Sequence, residues 1–161
     1  MKIKVIDDLL DNFLIKYLSK KFLYDTPHRF KGGSSPEDGI AFYMWDLDPQ
    51  EPIIEYIYQK ITNEILNINC SILRTYLNIQ HKGMDGSFHP DDGDITMLLM
   101  VTEDPKEGGG AFEYIDEMGQ IQKIEYKQNR LIVFDANINH RGLSYESNEA
   151  RITLAYKTKL N

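Results

Sequence analysis

Four histidines stand in the chain, His28, His81, His89 and His140, and one of them has a carboxylate at a chemically useful interval. His89 and Asp91 are i and i+2 in Ser87-Phe88-His89-Pro90-Asp91. In an extended segment such positions point to the same side, so an imidazole nitrogen and a carboxylate oxygen can meet at one point. His140 follows Asp91 by 49 residues. A fold that brings its strand ends back together can add it to the pair. Two imidazoles and one carboxylate on one face of a metal leave three positions open, a set suited to Fe(II) that must also bind a cosubstrate and dioxygen. Arg151 lies 11 residues beyond His140 and opens the run RITLAYK. Facing inward, its guanidinium needs a carboxylate partner, because an unpaired buried charge is costly. A dicarboxylate cosubstrate would supply one. On spacing alone the rival readings stay open: H-x-D as a turn hydrogen bond, His140 as a satisfied interior histidine, Arg151 as a surface pair with Glu146 or Glu149.

Strands have to position these residues. After Cys70, short β-like runs follow one another at 71–80, 86–91, 94–101, 110–115, 120–126, 129–134, 138–144 and 150–158. The turn signals HKGMDG, DDGD, EDPKEGGG, DEMGQ, KQN and SYESNEA separate them. Such a series predicts a β-sandwich or jelly-roll barrel. Ahead of it, residues 6–24 carry Leu9, Leu10, Phe13, Leu14, Tyr17 and Leu18 at helical spacing, with acids early and lysines late. Residues 49–66 predict a second helix, with Ile53, Ile54, Ile57, Ile61 and Ile65 on one stripe. Between the helices, residues 25–38 hold Pro27, Gly32, Gly33 and Pro36 and read as a loop that could close over a substrate. Ile40 to Trp45 reads as a short strand. The expectation is one domain over 1–161, with 1–69 as a helical support and 70–158 as the jelly-roll core.

Composition sets the class. A chain of 161 residues fits one domain with a real core. Its 42% hydrophobic and 27% charged residues are ordinary for a soluble globular protein. No apolar run approaches the roughly 18 residues of a membrane span. The N-terminal MKIKVIDDLLDNFLIKY carries acids inside its apolar stretch and has no small-residue cleavage site, which argues against a signal peptide. The single cysteine, Cys70, excludes an internal disulfide and a Cys-rich zinc site, so a cytoplasmic protein is the default expectation. The net charge of −7 argues against a nucleic-acid partner.

The order of the pieces is more specific than any one of them. RTYLNIQHKGMDGSFHPDDGD leads into H-x-D, ITMLLMV follows as a core strand, GGGAFEY opens the next, NRLIVFDANINH ends in a histidine, and ARITLAYK closes the series. In this order, roughly residues 70–158 resemble the 2-oxoglutarate- and Fe(II)-dependent oxygenases of the prolyl-4-hydroxylase-like branch, above all its short phage and cyanobacterial members. The resemblance implies a distorted double-stranded β-helix (jelly roll) with two N-terminal helices. It implies Fe(II) on His89, Asp91 and His140, and Arg151 on the far carboxylate of 2-oxoglutarate. It further implies O2 as oxidant, admits ascorbate as reductant, and points to a phage-encoded protein acting inside a bacterial host. The implied reaction is hydroxylation of an unactivated C–H bond, first a prolyl residue in a peptide or protein, second a small molecule. Many hydroxylases place a tyrosine in the strand after H-x-D to touch the cosubstrate. Here that strand is Met97-Leu98-Leu99-Met100, which leaves Tyr76 or Asn78, one strand earlier, for the role. Two other classes remain: a non-catalytic jelly-roll module that binds a metabolite, and a cupin-like metalloenzyme that does not use 2-oxoglutarate. His28 and His81 read as loop histidines, Tyr43 and Trp45 as core, Asp92 and Asp94 as turn acids, and Arg141 as pointing away from the metal.

Overall fold

The computed structural model describes residues 2–32 and 42–161. In chain order the elements are β1 (Ile3–Ile6), α1 (Asn12–Tyr24), β2 (Arg29–Gly32), β3 (Phe42–Asp46), α2 (Pro52–Gln59) with a π-helical extension (Lys60–Leu66), β4 (Cys70–Gln80), β5 (Ile95–Met100), β6 (Phe112–Ile115), β7 (Ile121–Ile124), β8 (Leu131–Asp135), β9 (His140–Gly142) and β10 (Arg151–Leu160). They form a seven-stranded sheet ordered β1-β8-β5-β10-β4-β3-β2 and a three-stranded sheet ordered β7-β6-β9. The pairings are antiparallel throughout.

Strand alternation divides the large sheet into two faces. Ile152, Leu154 and Tyr156 of β10, Met97 and Leu99 of β5, and Leu77 and Ile79 of β4 pack under Leu18, Phe22, Ile54, Ile57 and Ile61 of the helical layer. The other face carries Tyr76, Leu98, Met100, Ile132, Phe134 and Ala155, which meet Phe112 of the small sheet. Two antiparallel sheets closing on one another in this way make a jelly roll. The helices cover its outer face, and the candidate chemistry lies between the sheets.

The structure revises the sequence reading of the N-terminal third. The first helix begins at Asn12, not at residue 6. Asp11 caps it by accepting from the Phe13 and Leu14 backbone N–H groups. The residues before it form β1, which pairs with β8 from Ile3↔Phe134 to Ile6↔Leu131. The second helix is α-helical only over Pro52–Gln59, continues as a π turn, and ends where Asn67 turns left-handed at φ 51°. Part of the expected 25–38 loop is strand β2, paired with β3; residues 33–38 lie outside the described residues, as do 40 and 41 of the expected strand. The region read as helical support thus holds three strands, of which β3 alone is expected from the sequence.

Asp7 fastens β1 to the rest of the sheet. Its carboxylate accepts from Arg130 at 2.6 and 3.0 Å and from Lys127 at 3.0 Å. The Arg130 hydrogen bond, reinforced by Lys127, holds the Asp7 carboxyl down to about 2 against the opposing effect of burial. A depressed folded-state value stabilises above the ordinary 3.8 and loses that contribution as pH falls toward about 2. The group is partly exposed, so Asp7→Asn is expected to cost only about 0.5–1 kcal/mol at neutral pH. Chemical unfolding of both proteins across the acid range checks this: the two curves should converge between 3.8 and about 2. No helix among the described residues is long and apolar enough to cross a membrane.

Candidate metal centre and active-site cavity

His89 and His140 face one another across a single β-bridge, each backbone N–H donating to the other's carbonyl at 3.1 and 3.0 Å. The Asp91 N–H donates to Ala136 O at 2.7 Å. Residues 86–91 are therefore extended but do not form the regular strand expected from sequence. Pro90 has no N–H to give to a ladder. The i, i+2 relation survives this correction. One ligand atom each from His89, Asp91 and His140 lies within 4.8 Å of the others.

The local backbone fixes how the imidazoles present themselves. His89 Nδ1 meets Ser87 O at 2.8 Å, and His140 Nδ1 meets Ile138 O at 2.9 Å. A carbonyl only accepts, so Nδ1 carries the hydrogen in both rings and Nε2 keeps its lone pair for the centre. His140 is wedged against Phe134 and Phe112, with ring centroids 4.6 and 5.4 Å away. Burial holds its pKa below the ordinary histidine value despite the Asp91 charge. The ring is thus neutral, the form that binds a metal. For Asp91, burial alone would raise the carboxyl, but the neighbouring His140 ring, the Lys157 ammonium and the Thr96 hydroxyl outweigh it and bring the net value down. Two imidazoles and one carboxylate with their donor atoms converged are a fitting set for a divalent metal.

A cavity of about 240 Å³ runs from this centre along the inner face of the large sheet. Arg151 closes one end. It is 1% exposed, its Nε donates to Gly110 O at 2.9 Å, and its Nη1 donates to Gln80 Oε1 at 2.6 Å. Gln80 is held in that orientation because its amide nitrogen donates to Met84 O and Gly142 O. Gly142 leaves room for the guanidinium, since a Cβ there would stand 3.1 Å from Nη1. Gly110 follows the same logic: at φ 78° it lies flat against Tyr145, 2.5 Å from where a Cβ would be, and so delivers its carbonyl to Arg151. The surface pairing with Glu146 or Glu149 is not what forms; Glu149 pairs with Lys106. Among the described residues no carboxylate reaches Arg151, and its Nη2 is buried without a hydrogen-bond partner, as is Thr153 Oγ1 two residues on. Both residues line the cavity. Two unsatisfied groups of this kind fit the far carboxylate of a bound dicarboxylate.

Tyr76 and Asn78 also line the cavity, on one face of β4 as their spacing requires. Burial and the Asp91 charge raise the Tyr76 phenol well above its ordinary value, so it stays a neutral O–H donor. The other histidines stand apart: His28 bonds to Phe22 O, and His81 lies edge-on to Tyr43. Asp94 is a turn acid that accepts from Leu160 N. Asp92, expected in the same role, lines the cavity instead. Arg141 pairs with Glu113 and covers Phe88.

Sequence reasoning missed three residues. Lys157 Nζ stands 2.8 Å from Asp91 Oδ1, Thr96 Oγ1 donates to Asp91 Oδ2 at 2.8 Å, and Thr153 lies beside Arg151. The signal was period 2 in RITLAYK: once Arg151 faces inward, Thr153, Ala155 and Lys157 must follow it.

No family model and no curated protein matches the chain. Solved structures do. The prolyl-4-hydroxylase of Pseudomonas putida superposes with a TM-score of 0.74 at 15% identity, covering 98% of this chain and 92% of that one. The viral collagen prolyl hydroxylase of Paramecium bursaria Chlorella virus-1, solved with 2-oxoglutarate, gives 0.74 at 17% identity over 100% and 97%. The chain has the fold of the 2-oxoglutarate/Fe(II) oxygenases. HygX from Streptomyces hygroscopicus, solved with nickel, 2-oxoglutarate and hygromycin B, gives 0.76 at 9% identity over 99% and 83%. Within this oxygenase fold, His89, Asp91 and His140 form a candidate iron site.

Proposed function

We propose that the protein is a 2-oxoglutarate-dependent Fe(II) dioxygenase that hydroxylates an unactivated C–H bond, with a prolyl residue of a peptide or protein as the favoured substrate. One observation carries the reading: a buried guanidinium with an unfilled donor opens into the same cavity as the three converged ligand atoms. His89, Asp91 and His140 would hold the metal, and Arg151 with Thr153 would take the far carboxylate of 2-oxoglutarate. Tyr76 or Asn78 would border the cosubstrate. Iron, when bound, supplies dioxygen activation coupled to oxidative decarboxylation of 2-oxoglutarate to succinate and carbon dioxide.

The protein's own share is positioning and shielding. The backbone carbonyls of Ser87 and Ile138 aim the imidazoles, and Phe112, Phe134 and Leu98 line the cavity with apolar surface that keeps water from a reactive centre. A prolyl substrate is favoured by the likeness to two prolyl hydroxylases. HygX, solved with hygromycin B bound, keeps a small-molecule substrate as the second candidate.

The test is an anaerobic titration with Fe(II) and then 2-oxoglutarate. A saturable visible charge-transfer band of the chelated 2-oxo acid is expected in the wild type and absent in His89→Ala. Iron binding without the band would point to a metalloenzyme that does not use 2-oxoglutarate, and no iron binding to a metabolite-binding module. With the band in hand, prolyl peptides are screened for succinate formation.

A further inference from the structure

Asp91 is gripped from two strands at once. Lys157 of β10 and Thr96 of β5 are direct cross-strand partners, so the sheet register itself brings an ammonium and a hydroxyl to one carboxylate. Thr96 donates to Oδ2. Lys157 stands in ion-pair contact with Oδ1, though not aligned as a hydrogen bond. Both charges are withdrawn from water: the side chains of Lys157 and Asp91 are 14% and 3% exposed. Oδ2 lies 3.5 Å from His140 Nε2, and Oδ1 lies 3.8 Å from His89 Nε2, so either oxygen is within reach of the centre.

We propose that Lys157 is a positioning residue that restricts Asp91 to a single ligating oxygen and thereby preserves the open positions a 2-oxo acid needs. The proposal rests on the dioxygenase reading above. A carboxylate with both oxygens free can chelate a dication and fill two positions. An ammonium at Oδ1 disfavours a dication on that oxygen, because like charges repel most where water is excluded. A neutral hydroxyl at Oδ2 does not. With Lys157 present, two imidazoles and one oxygen would leave a bound metal three positions to share between the 2-oxo acid and dioxygen. Without it, a chelating Asp91 leaves two. The same ammonium must also weaken the metal, since it competes for the carboxylate.

These two consequences have opposite signs, which a merely structural role would not produce. In Lys157→Met, the Kd for Co(II) should fall by about tenfold, the lower end of what partners of metal ligands contribute. The Kd of the Co(II) protein for 2-oxoglutarate should rise by about the same factor. Lys157→Arg, which restores a cation at Asp91, should return both constants toward wild type. Calorimetric titration of Co(II) and then 2-oxoglutarate measures both, and the Co(II) d–d absorption reports the coordination change without turnover. Circular dichroism establishes that each variant is folded. Constants that move together, or that stay within twofold of wild type, overturn the proposal. Failure of the underlying reading looks different: wild type would not bind Co(II), or Asp91→Asn would bind it equally well.

Discussion

Arg151→Met is expected to weaken 2-oxoglutarate binding by about 10²–10³-fold, the range for truncating one partner of a buried charge pair. Metal affinity should stay nearly unchanged. The guanidinium is held by Gly110 O and Gln80 Oε1 on one side and presents a buried, unsatisfied Nη2 on the other. A dicarboxylate would convert that unpaired donor into a charge-assisted hydrogen bond in a dry site, where such bonds are strongest. Methionine removes the charge but keeps much of the stem volume, so the variant should still fold. It does leave Gly110 O and Gln80 Oε1 short of a donor, and a modest loss of stability of about 1–3 kcal/mol accompanies that. Titration of 2-oxoglutarate into the metal-loaded variant checks the affinity, and thermal unfolding separates it from the fold. An unchanged Kd would remove Arg151 from the cosubstrate site.

His140→Ala is expected to act on the other half of the cavity. It deletes the proposed ligand whose Nε2 is oriented by the bond from Nδ1–H to Ile138 O. Changes to residues that only support ligands cost 10–100-fold in affinity; removing a ligand should exceed that, so Fe(II) or Co(II) binding should fall by more than about 100-fold. The loss should leave the bridge to His89 in place, because that bridge is made by backbone groups. A hole between Phe112 and Phe134 is the structural price. His140→Gln, which fills the space and lacks the imidazole, keeps the comparison clean. Retention of wild-type metal affinity in both variants would disprove the centre.

The large-scale architecture was legible because the chain after Cys70 obeys period 2 and breaks at turn residues. Strands β4, β5, β8 and β10 came out within a few residues of where they lie. The N-terminal third was less legible because its signals compete. Ile3–Ile6 is too short to outweigh the helical pattern beginning at Leu9, and only pairing with a strand over a hundred residues away makes it β. The convergence of His89, Asp91 and His140 was readable, although the regular strand expected under His89 is an extended segment with one bridge. Lys157 was not readable as a partner of Asp91. Nothing local connects them, and the contact exists only through the register of β10 on β5.

That register has a consequence for how the protein comes off the ribosome. β10 is made after every other strand described here, yet it sits between β4 and β5 in the middle of the large sheet. Until it arrives, the halves β1-β8-β5 and β4-β3-β2 share no strand, and each ends in an open edge of the kind that recruits other chains. At 5–20 residues per second, the interval between synthesis of β4 and of β10 lasts roughly 4–16 s. The strand that closes the gap also carries Arg151 and Lys157. Closure of the sheet and completion of the cavity are therefore one event, and a nascent chain that has not yet closed lacks both the guanidinium and the ammonium that line it.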